Sequence, residues 1–366
     1  MATSKSSIRP FYERIGKPRF ISAPMVEHSF LPWRLLVRGS GTDLAYTQMM
    51  HAKNFNLVKK FRKEYIDWGD YCHISRDAEQ ERKAKELDSN TIVQFAGNDA
   101  DTLVSACKWI HEGVAAVDLN LGCPQKIAKK GFYGAYLLPD QSLVVKLLTA
   151  MVSKLNCPVT AKVRVLPTVQ DTLELCRAIE SCGVSMLTVH GRELTNNKNL
   201  IGPADWDIIR EVKRSLSIPV IANGGISSYS DALRCLEHTG ADGVMSSEAL
   251  LENPKMFSEE GDRLFRTDYV RFQLQTVREF LDLVEGFGKS QQNVSSVRGH
   301  LFKMLARFFQ GAGNADLLRR MAAGDVEEMR AVCVALEERM VAVGYSAELA
   351  EERGLLGTTG YYLRHR

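Results

Sequence analysis

Residues 158–191, PVTAKVRVLPTVQDTLELCRAIESCGVSMLTVHG, contain the repeating unit that decides the fold of this protein. A run rich in β-branched residues (158–165) is followed by an amphipathic stretch (171–182) and by a second such run (184–191). Runs of this kind predict strands, and the apolar periodicity between them predicts a helix. Strand, helix and strand in this order imply two parallel strands joined by a right-handed crossover.

The same unit recurs along most of the chain. Eight such units over about 240 residues are typical of a TIM barrel, so we predict an α/β protein built on a (β/α)8 barrel. An open doubly wound sheet is the alternative, but it rarely needs eight evenly spaced units. The predicted strands are RFISAPM (19–25), DLAYT (43–47), TIVQFAG (91–97), AVDLNLG (116–122), PVTAKVRV (158–165), VSMLTVHG (184–191), IPVIANGG (218–225) and ADGVMSS (241–247).

Two regions do not fit the barrel pattern. Residues 53–88 are long and charged for a connection, which predicts an inserted helix and loop on the catalytic rim. Strand signals stop after residue 265, and helical periodicity replaces them. We therefore predict a barrel domain (1–264) and a smaller C-terminal all-helical domain (265–366), with helices at 267–285, 295–312 and 325–343 and a connecting loop at 286–296.

Composition excludes several classes of protein. No apolar run approaches the ~18 residues that a membrane span needs, and the N-terminal stretch has no apolar core of a signal peptide. The eight cysteines form no CxxC pair and no zinc-site spacing, so we expect no metal and a reducing compartment, cytoplasm or nucleus. The net charge of +3 is only weak evidence for a nucleic-acid partner.

Polar residues concentrate where the predicted strands end, which in a barrel is the face that holds the active site. Strand alternation places Lys162 and Arg164 on the inward face, where an unpaired cation would cost several kcal/mol and therefore requires an anion or an electron-rich ligand. The alternatives are a structural ion pair of Lys162 with Asp118 and a core role for His190. The polar set is Gln94, Asn120, Cys123, Lys162, Arg164, His190, Asn223 and Ser247.

The last two units have the pattern of a phosphate site. NGGI (223–226) follows the seventh predicted strand, and SSEAL (246–250) follows the eighth. Backbone N–H groups of these loops commonly bind phosphate in TIM barrels, and glycine permits a close approach of the backbone. Two tight turns without a ligand are the alternative.

These stretches closely resemble the dihydrouridine synthase family over residues 18–258. LNLGCP (119–124) followed by YGA (133–135) is the most specific part, whereas the other motifs are shared with other flavin barrels. Residues 46–52, 119–129 and 297–305 resemble the eukaryotic subgroup that reduces uridines 16 and 17 of the tRNA D-loop. The remaining family motifs are APMV (23–26), VQFAGND (93–99), VTAKVR (159–164), LTVHGR (187–192), IANGGI (221–226) and GVMSSEAL (243–250).

The resemblance implies bound FMN, NADPH as co-substrate and tRNA as substrate. Two positions depart from the family: Gly225 stands where many members have Asp or Asn, and Glu248 stands where bacterial members have Arg. We expect Glu248 to contribute its N–H and turn its carboxylate away from phosphate. The implied FMN contacts are the backbone of Pro24, Met25 and Val26, the side chains of Gln94, Lys162 and His190, and a phosphate frame of Asn223, Gly224, Gly225, Ser247 and Glu248.

The resemblance also implies a reaction. A hydride passes from the flavin N5 to C6 of uracil, and Cys123 matches the family's catalytic acid, which protonates C5. A cysteine with an ordinary pKa near 8.5 is mostly protonated at pH 7 and can serve as a general acid. Arg164 and Asn120 are the candidate contacts to the base. No Gly-rich dinucleotide fingerprint occurs, so NADPH is expected to bind transiently in the same mouth.

A candidate tRNA surface lies in the helical domain. Within RGHLFKMLARFF (298–309), His300, Lys303 and Arg307 fall on one helical stripe that we predict to meet phosphates; a solvated basic face is the alternative. A flavin enzyme of small pyrimidines would not need this stripe, and an inactive RNA-binding barrel would not need Cys123. The sequence does not determine an oligomeric state, and a monomer is our default expectation.

Overall fold

The computed structural model describes residues 9–66, 86, 88, 90–110, 114–195, 202–287 and 294–364. Within them, all strand pairings are parallel and form one sheet in the order β2-β1-β9-β8-β7-β6-β5-β4-β3. The strands are β1 (Phe20–Ser22), β2 (Leu44–Ala45), β3 (Met50–His51), β4 (Ile92–Ala96), β5 (Ala116–Leu121), β6 (Val159–Arg164), β7 (Met186–His190), β8 (Val220–Asn223) and β9 (Gly243–Ser246).

The segment 44–51 closes this sheet into a barrel. Its first part, β2, pairs with β1, and its last part, β3, pairs with β4. Between them Tyr46 forms a bridge to Ile92, and the Thr47 hydroxyl accepts a hydrogen bond from the Gln94 N–H. The predicted (β/α)8 barrel is confirmed, with a second strand that is interrupted and longer than the predicted 43–47.

Strand alternation separates two apolar layers. Residues that alternate with the polar set, such as Val117, Leu119 and Val163, pack in the large cluster that includes the surrounding helices. A second cluster lines the barrel interior near its N-terminal end, where Phe11 and Tyr12 of the first helix pack with inward residues of the strands. The lower half of the barrel is therefore filled, and only the upper half is left for polar side chains.

The helices around the barrel begin where the sequence provides caps. Side chains of Asp99, Asp140, Thr168, Asp205 and Ser228 each accept a hydrogen bond from the backbone N–H three residues later. The helices are α1 (Arg9–Arg14), α2 (Leu31–Arg38), α3 (Ala52–Leu57), α4 (Lys59–Ile66), α5 (Ala100–Cys107), α6 (Lys126–Gly131), α7 (Gln141–Lys154), α8 (Val169–Ser181), α9 (Trp206–Ser215), α10 (Tyr229–Thr239), α11 (Glu248–Glu252) and α12 (Glu259–Thr267).

The C-terminal region is all-helical, as predicted, although its helices differ in detail. The predicted helix 295–312 is broken at Leu305, and helices over 315–323, 347–352 and 361–364 were not predicted. The proposed boundary at 264/265 stays a prediction; it falls inside α12. The helices are α13 (Tyr269–Phe287), α14 (Val294–Met304), α15 (Ala306–Gln310), α16 (Ala315–Ala323), α17 (Val326–Val341), α18 (Ala347–Glu352) and α19 (Tyr361–Arg364).

The break at Leu305 has a visible cause. The Gln273 side chain of α13 donates hydrogen bonds to the carbonyls of Met304 (2.6 Å) and Glu252 (2.9 Å). Leu305 then leaves the helical conformation, with ψ at 17°. A buried amide thus ends α14 and attaches it to the end of α11, next to the barrel.

The predicted insert 53–88 begins with α3 and α4, and most of the remainder lies outside the described residues. Its role on the catalytic rim stays a prediction. None of the helices described is long and apolar enough to cross a membrane.

Candidate active site at the barrel mouth

A hydrogen-bonded network of inward side chains forms the floor of the mouth. Asp118 accepts hydrogen bonds from Thr160 (2.6 Å) and from the Gln94 amide (2.8 Å). The Asn120 amide nitrogen donates to the Gln94 carbonyl oxygen at 2.7 Å. Burial raises the pKa of Asp118 to about 6, against the opposing effect of these hydrogen bonds and of Lys162. Three neighbouring strands are thereby fixed in one register beneath the site.

Asn120 also holds the loop that bears Cys123. Its side-chain oxygen accepts hydrogen bonds from the N–H groups of Gly122 (3.1 Å) and Cys123 (2.9 Å). Arg164 donates from Nε to the Gly122 carbonyl at 2.8 Å. Both ends of the Asn120 amide are therefore engaged within the protein, and its observed role is to position the cysteine loop. A contact of Asn120 with substrate stays a prediction.

The far side of Cys123 is closed by residues 133–135. The Ala135 N–H donates to the Cys123 carbonyl at 3.1 Å. Gly134 has a φ of +66°, and a Cβ at this position would lie 2.8 Å from the Cys123 carbonyl oxygen and 2.9 Å from its Cβ. Only glycine fits this conformation and this contact. Burial raises the pKa of the Cys123 thiol, more than Arg164 and Lys162 lower it, so the thiol is protonated at neutral pH.

Lys162 is a buried cation at the centre of the mouth, with 9% of its surface exposed. The described residues offer its ammonium no acceptor within hydrogen-bonding distance and no carboxylate within 4.0 Å. The ion pair with Asp118 does not form, because Gln94 and Thr160 occupy that carboxylate. Burial, with Arg164 nearby, lowers the pKa of Lys162 to about 8. An unpaired ammonium in this position is the expected partner of an anionic or electron-rich ligand.

His190 lies beside Lys162 and is held neutral. Burial and the adjacent cations lower its pKa far below the ordinary value. Its Nε2 is 3.3 Å from a guanidinium nitrogen of Arg192, which can only donate, so Nε2 accepts. Gly224, with a φ of +107°, lies against the ring, and a Cβ there would be 2.7 Å from the His190 Cδ2. A neutral imidazole therefore lines the mouth between β7 and β8.

The ends of β8 and β9 form the predicted phosphate region. The Asn223 amide donates to the Met245 carbonyl at 2.8 Å and joins the two strands. Gly225 follows in the left-handed region, with a φ of +76°. Ser247 and Glu248 begin α11, and the exposed Glu248 carboxylate is close enough to Lys303 to oppose the lowering of its pKa. That the Glu248 carboxylate turns away from phosphate stays a prediction.

The loop after β1 is fixed from two sides. The Met25 N–H donates to the Ser29 hydroxyl at 2.9 Å, and that hydroxyl donates to the Ala23 carbonyl. The His28 Nδ1 donates to the Val26 carbonyl at 2.9 Å. These bonds define the backbone of Pro24, Met25 and Val26 before any ligand is considered.

The predicted basic stripe of the helical region does not exist as a surface. His300 is fully buried, with its ring 4.3 Å from Trp33 in a stacked arrangement and its Nε2 2.9 Å from the His28 carbonyl. Arg307 belongs to a different helix because of the break at Leu305, and it binds Glu351 (2.7 Å) and the Gly357 carbonyl (2.8 Å). The expectation that His300 and Arg307 face phosphates was wrong, since both side chains form hydrogen bonds within the protein.

Lys303 is the third member of the predicted stripe, and it is directed toward the barrel. Its ammonium donates to the His28 Nε2 at 2.6 Å and to the Gly299 carbonyl at 3.0 Å. Since His28 in turn donates to Val26, a continuous chain of hydrogen bonds connects α14 to the loop after β1. The structure thus places Lys303 next to the predicted cofactor loop.

Comparison with known proteins assigns the chain to a family. The sequence model described as "Dihydrouridine synthase (Dus)" matches residues 21–340, most of the chain. This chain belongs to the dihydrouridine synthase family. A relative from Schizosaccharomyces pombe, named tRNA-dihydrouridine(16/17) synthase [NAD(P)(+)], is 35% identical over 96% of this chain and 86% of its own. A Saccharomyces cerevisiae protein of the same name is 36% identical over 82% of this chain and 68% of its own.

A mouse member of the dihydrouridine synthase family, named tRNA-dihydrouridine(16/17) synthase [NAD(P)(+)]-like, is 37% identical over 80% of this chain and 57% of its own. The match therefore spans somewhat more than half of the mouse relative's length. The family assignment rests on the match across both the barrel and the helical region.

Two rim residues of this family member escaped the sequence analysis. Tyr133 is 5% exposed and lies edge-on to His51, with ring centroids 4.9 Å apart. Cys123 packs against the small apolar cluster that contains Tyr133. The signal was present in YGA (133–135), which was used to identify the family but not to assign a contact. His51 is on β3, the part of the second strand that was not predicted.

Proposed function

We propose that this protein is a tRNA-dihydrouridine synthase that reduces the C5=C6 bond of uridines 16 and 17 with FMN and NADPH. The observation that carries the proposal is the unpaired, buried Lys162 ammonium beside the protonated thiol of Cys123 at the barrel mouth. The printed names of the 35–37% identical relatives support the reaction, the tRNA substrate and the positions.

The residues present fit FMN. Lys162 provides a cation for the electron-rich flavin ring, and neutral His190 adds a polar contact beside it. The fixed backbone of residues 24–26 offers its peptide groups from the opposite side. Gly224 and Gly225 have positive φ and no side chain, so the backbone near Ser247 and Glu248 is open to a phosphate. Gln94 and Asn223 hold this frame through the network and the β8–β9 bond.

When bound, FMN reduced by NADPH supplies a hydride to C6 of the uracil ring. The Cys123 thiol then donates its proton to C5, and its loop is held by Asn120 and Ala135 in the position this requires. Arg164, anchored to the Gly122 carbonyl, stabilises negative charge on a uracil carbonyl oxygen. The network beneath the site excludes water from the floor. The target base must leave its stack to enter the mouth, at a cost of a few kcal/mol.

For the oligomeric state, a monomer stays our expectation. Acting on tRNA would place the protein in the cytoplasm or the nucleus. The predicted 53–88 insert, most of which lies outside the described residues, and the helical region are the candidates for binding the body of the tRNA.

The test combines spectra with product mapping. The purified protein is expected to show flavin absorbance that NADPH bleaches in the absence of oxygen. Adding tRNA that lacks dihydrouridine is expected to speed the recovery of this absorbance, because the tRNA reoxidises the flavin. Dihydrouridine at positions 16 and 17 is then expected to disappear from tRNA of cells that lack the protein. A protein that takes up no FMN contradicts the proposal. Reoxidation by free pyrimidines but not by tRNA would instead identify an oxidoreductase of small pyrimidines.

A further inference from the structure

The chain on both sides of helix α6 is attached to Cys123. It begins at Lys126, three residues after Cys123, and the chain returns at Gly134 and Ala135, which pack on and bond to the Cys123 backbone. The helix is therefore a short segment on the rim of the mouth. Its position is fixed on both sides by Cys123, the residue that would protonate the substrate.

One side of α6 is attached to the barrel, and the other carries unpaired cations. Ala128 is buried against Ala96 and Tyr133. Lys126, Lys129 and Lys130 are exposed. Among the described residues, no carboxylate forms an ion pair with any of these three lysines. By contrast, Lys154 on α7 binds Asp101, and Lys213 on α9 binds Asp242.

Apolar side chains are exposed on the same segment. Ile127 is 63% exposed, and Phe132, the residue that ends the helix, is 46% exposed. Phe132 is also left-handed, with a φ of +50°, a conformation that is unusual for a bulky side chain and commonly retained for function. Its ring is thus held outward by a backbone that phenylalanine does not favour.

We propose that this surface, Lys126, Ile127, Lys129, Lys130 and Phe132, binds the tRNA strand on either side of the extracted uridine. The lysines contact phosphates, and Phe132 contacts an unstacked neighbouring base. The inference rests on the proposed function. A base that reaches Cys123 leaves its own phosphates at the rim beside that residue, where α6 lies. Cations interleaved with an exposed aromatic ring are the chemistry that binds unpaired nucleotides.

The first test removes the three charges. In full-length flavin-loaded protein, Lys126→Ala, Lys129→Ala and Lys130→Ala together are expected to raise the Kd for tRNA about tenfold and to lower the salt slope of log K by about 2–3 units, since each phosphate contact releases counterions. NADPH oxidation by oxygen is expected to stay unchanged. Alanine favours helix, so α6 is retained.

The matched control removes the same charge elsewhere. Lys108, Lys146 and Lys154 are exposed on α7 or directly after α5, outside the loop that carries Cys123. Their triple alanine variant is expected to bind tRNA with a nearly unchanged Kd. If both triple variants lose the same affinity for tRNA, the loss comes from the change in net charge alone, and the proposal is overturned.

The second test separates the ring from the backbone. Phe132→Asn keeps a residue that tolerates positive φ and removes the ring, so it is expected to raise the Tm while weakening tRNA binding. Phe132→Trp retains stacking and is expected to bind as wild type. If Phe132→Asn and the lysine variant both bind tRNA as wild type while wild type forms dihydrouridine, the surface is not the contact. If wild type forms no dihydrouridine and binds no tRNA, the proposed function itself fails.

Discussion

Cys123 and Lys162 show two opposite effects of burial on neighbouring groups. Burial raises the pKa of the Cys123 thiol and lowers the pKa of the Lys162 ammonium. The two cations near Cys123 oppose its shift but do not reverse it. A thiol that stays protonated is a proton donor, whereas a nucleophilic cysteine needs a lowered pKa. The electrostatics of the site therefore favour general-acid chemistry.

Replacing Cys123 by alanine tests this role. A general acid typically contributes about 10²–10⁴ in rate, so dihydrouridine formation is expected to fall by that factor, because no other thiol is placed at the mouth among the described residues. Flavin content and its bleaching by NADPH are expected to remain. Single-turnover mixing of reduced enzyme with tRNA measures the loss. A Cys123→Ala enzyme that turns over as fast as wild type would remove the cysteine from the mechanism.

Replacing Lys162 by methionine tests the cofactor contact. Methionine preserves the length and removes the charge, so the unpaired buried cation disappears without leaving a large cavity. The Kd for FMN is expected to rise at least about tenfold, one charged hydrogen bond being worth about 1.5–3 kcal/mol. Flavin fluorescence titration of the apoprotein measures this. Lys108→Met, on the outer surface, is the control; equal FMN affinity in both variants would make Lys162 purely structural.

At the scale of elements, residues 133–135, which follow α6, pack against the loop after β5 and determine where Cys123 lies. The contact depends on one position, Gly134, where φ is +66° and a Cβ would meet the Cys123 backbone. Gly240, at the end of α10, has nearly the same φ of +65° but no atom within 4 Å of the equivalent Cβ. A side chain would therefore cause the same backbone strain at both glycines, but only at Gly134 would it also collide with neighbouring atoms.

This difference makes a paired experiment possible. Gly134→Ala and Gly240→Ala are both expected to lower the Tm, since alanine at positive φ is strained. Only Gly134→Ala is expected to displace the Cys123 loop, lowering the rate of dihydrouridine formation by at least about tenfold, since small misplacements of a reacting group are costly. Flavin binding should survive in both. Equal activity of the two variants would show that the loop adapts.

For the whole molecule, the junction between barrel and helical region contains buried basic groups. His300 packs among Trp33, Phe30 and Phe280, and it lies edge-on to His28, whose Nε2 accepts from Lys303. Burial, followed by the Lys303 charge, lowers the pKa of His28 to about 4. Burial, followed by the effect of His28, lowers the pKa of His300 far below its ordinary value. Both rings are neutral in the folded protein.

Acid should therefore loosen this junction. As pH falls below 6.5, His28 and His300 become protonated in the unfolded chain but stay neutral in the folded protein. The free energy of unfolding that is present above pH 6.5 is therefore lost progressively toward pH 4. For His28 alone the loss is at most about 3 kcal/mol. Calorimetric Tm measured from pH 7.5 to 4.5 is expected to fall less steeply in His28→Gln than in wild type. Identical slopes in wild type and His28→Gln would refute the assignment.

Much of the mouth was predictable from local pattern. Alternation within β6 assigned Lys162 and Arg164 to the inward face, and the ends of successive strands identified Gln94, Asn120, Cys123 and His190 as neighbours. This succeeds because side-chain direction in a strand has a period of two and parallel barrel strands end at one face. The sequence also determined the family, through motifs that extend over most of the chain.

The tertiary structure decided what the helical region does. A helical wheel assigned His300, Lys303 and Arg307 to one stripe, but Gln273, distant in sequence, ends α14 at Met304 and moves Arg307 off that stripe. Burial of His300 against Trp33 likewise depends on a packing partner more than 260 residues away. Local periodicity states which residues share a face and does not state what covers that face, because burial is determined by the elements that pack against it.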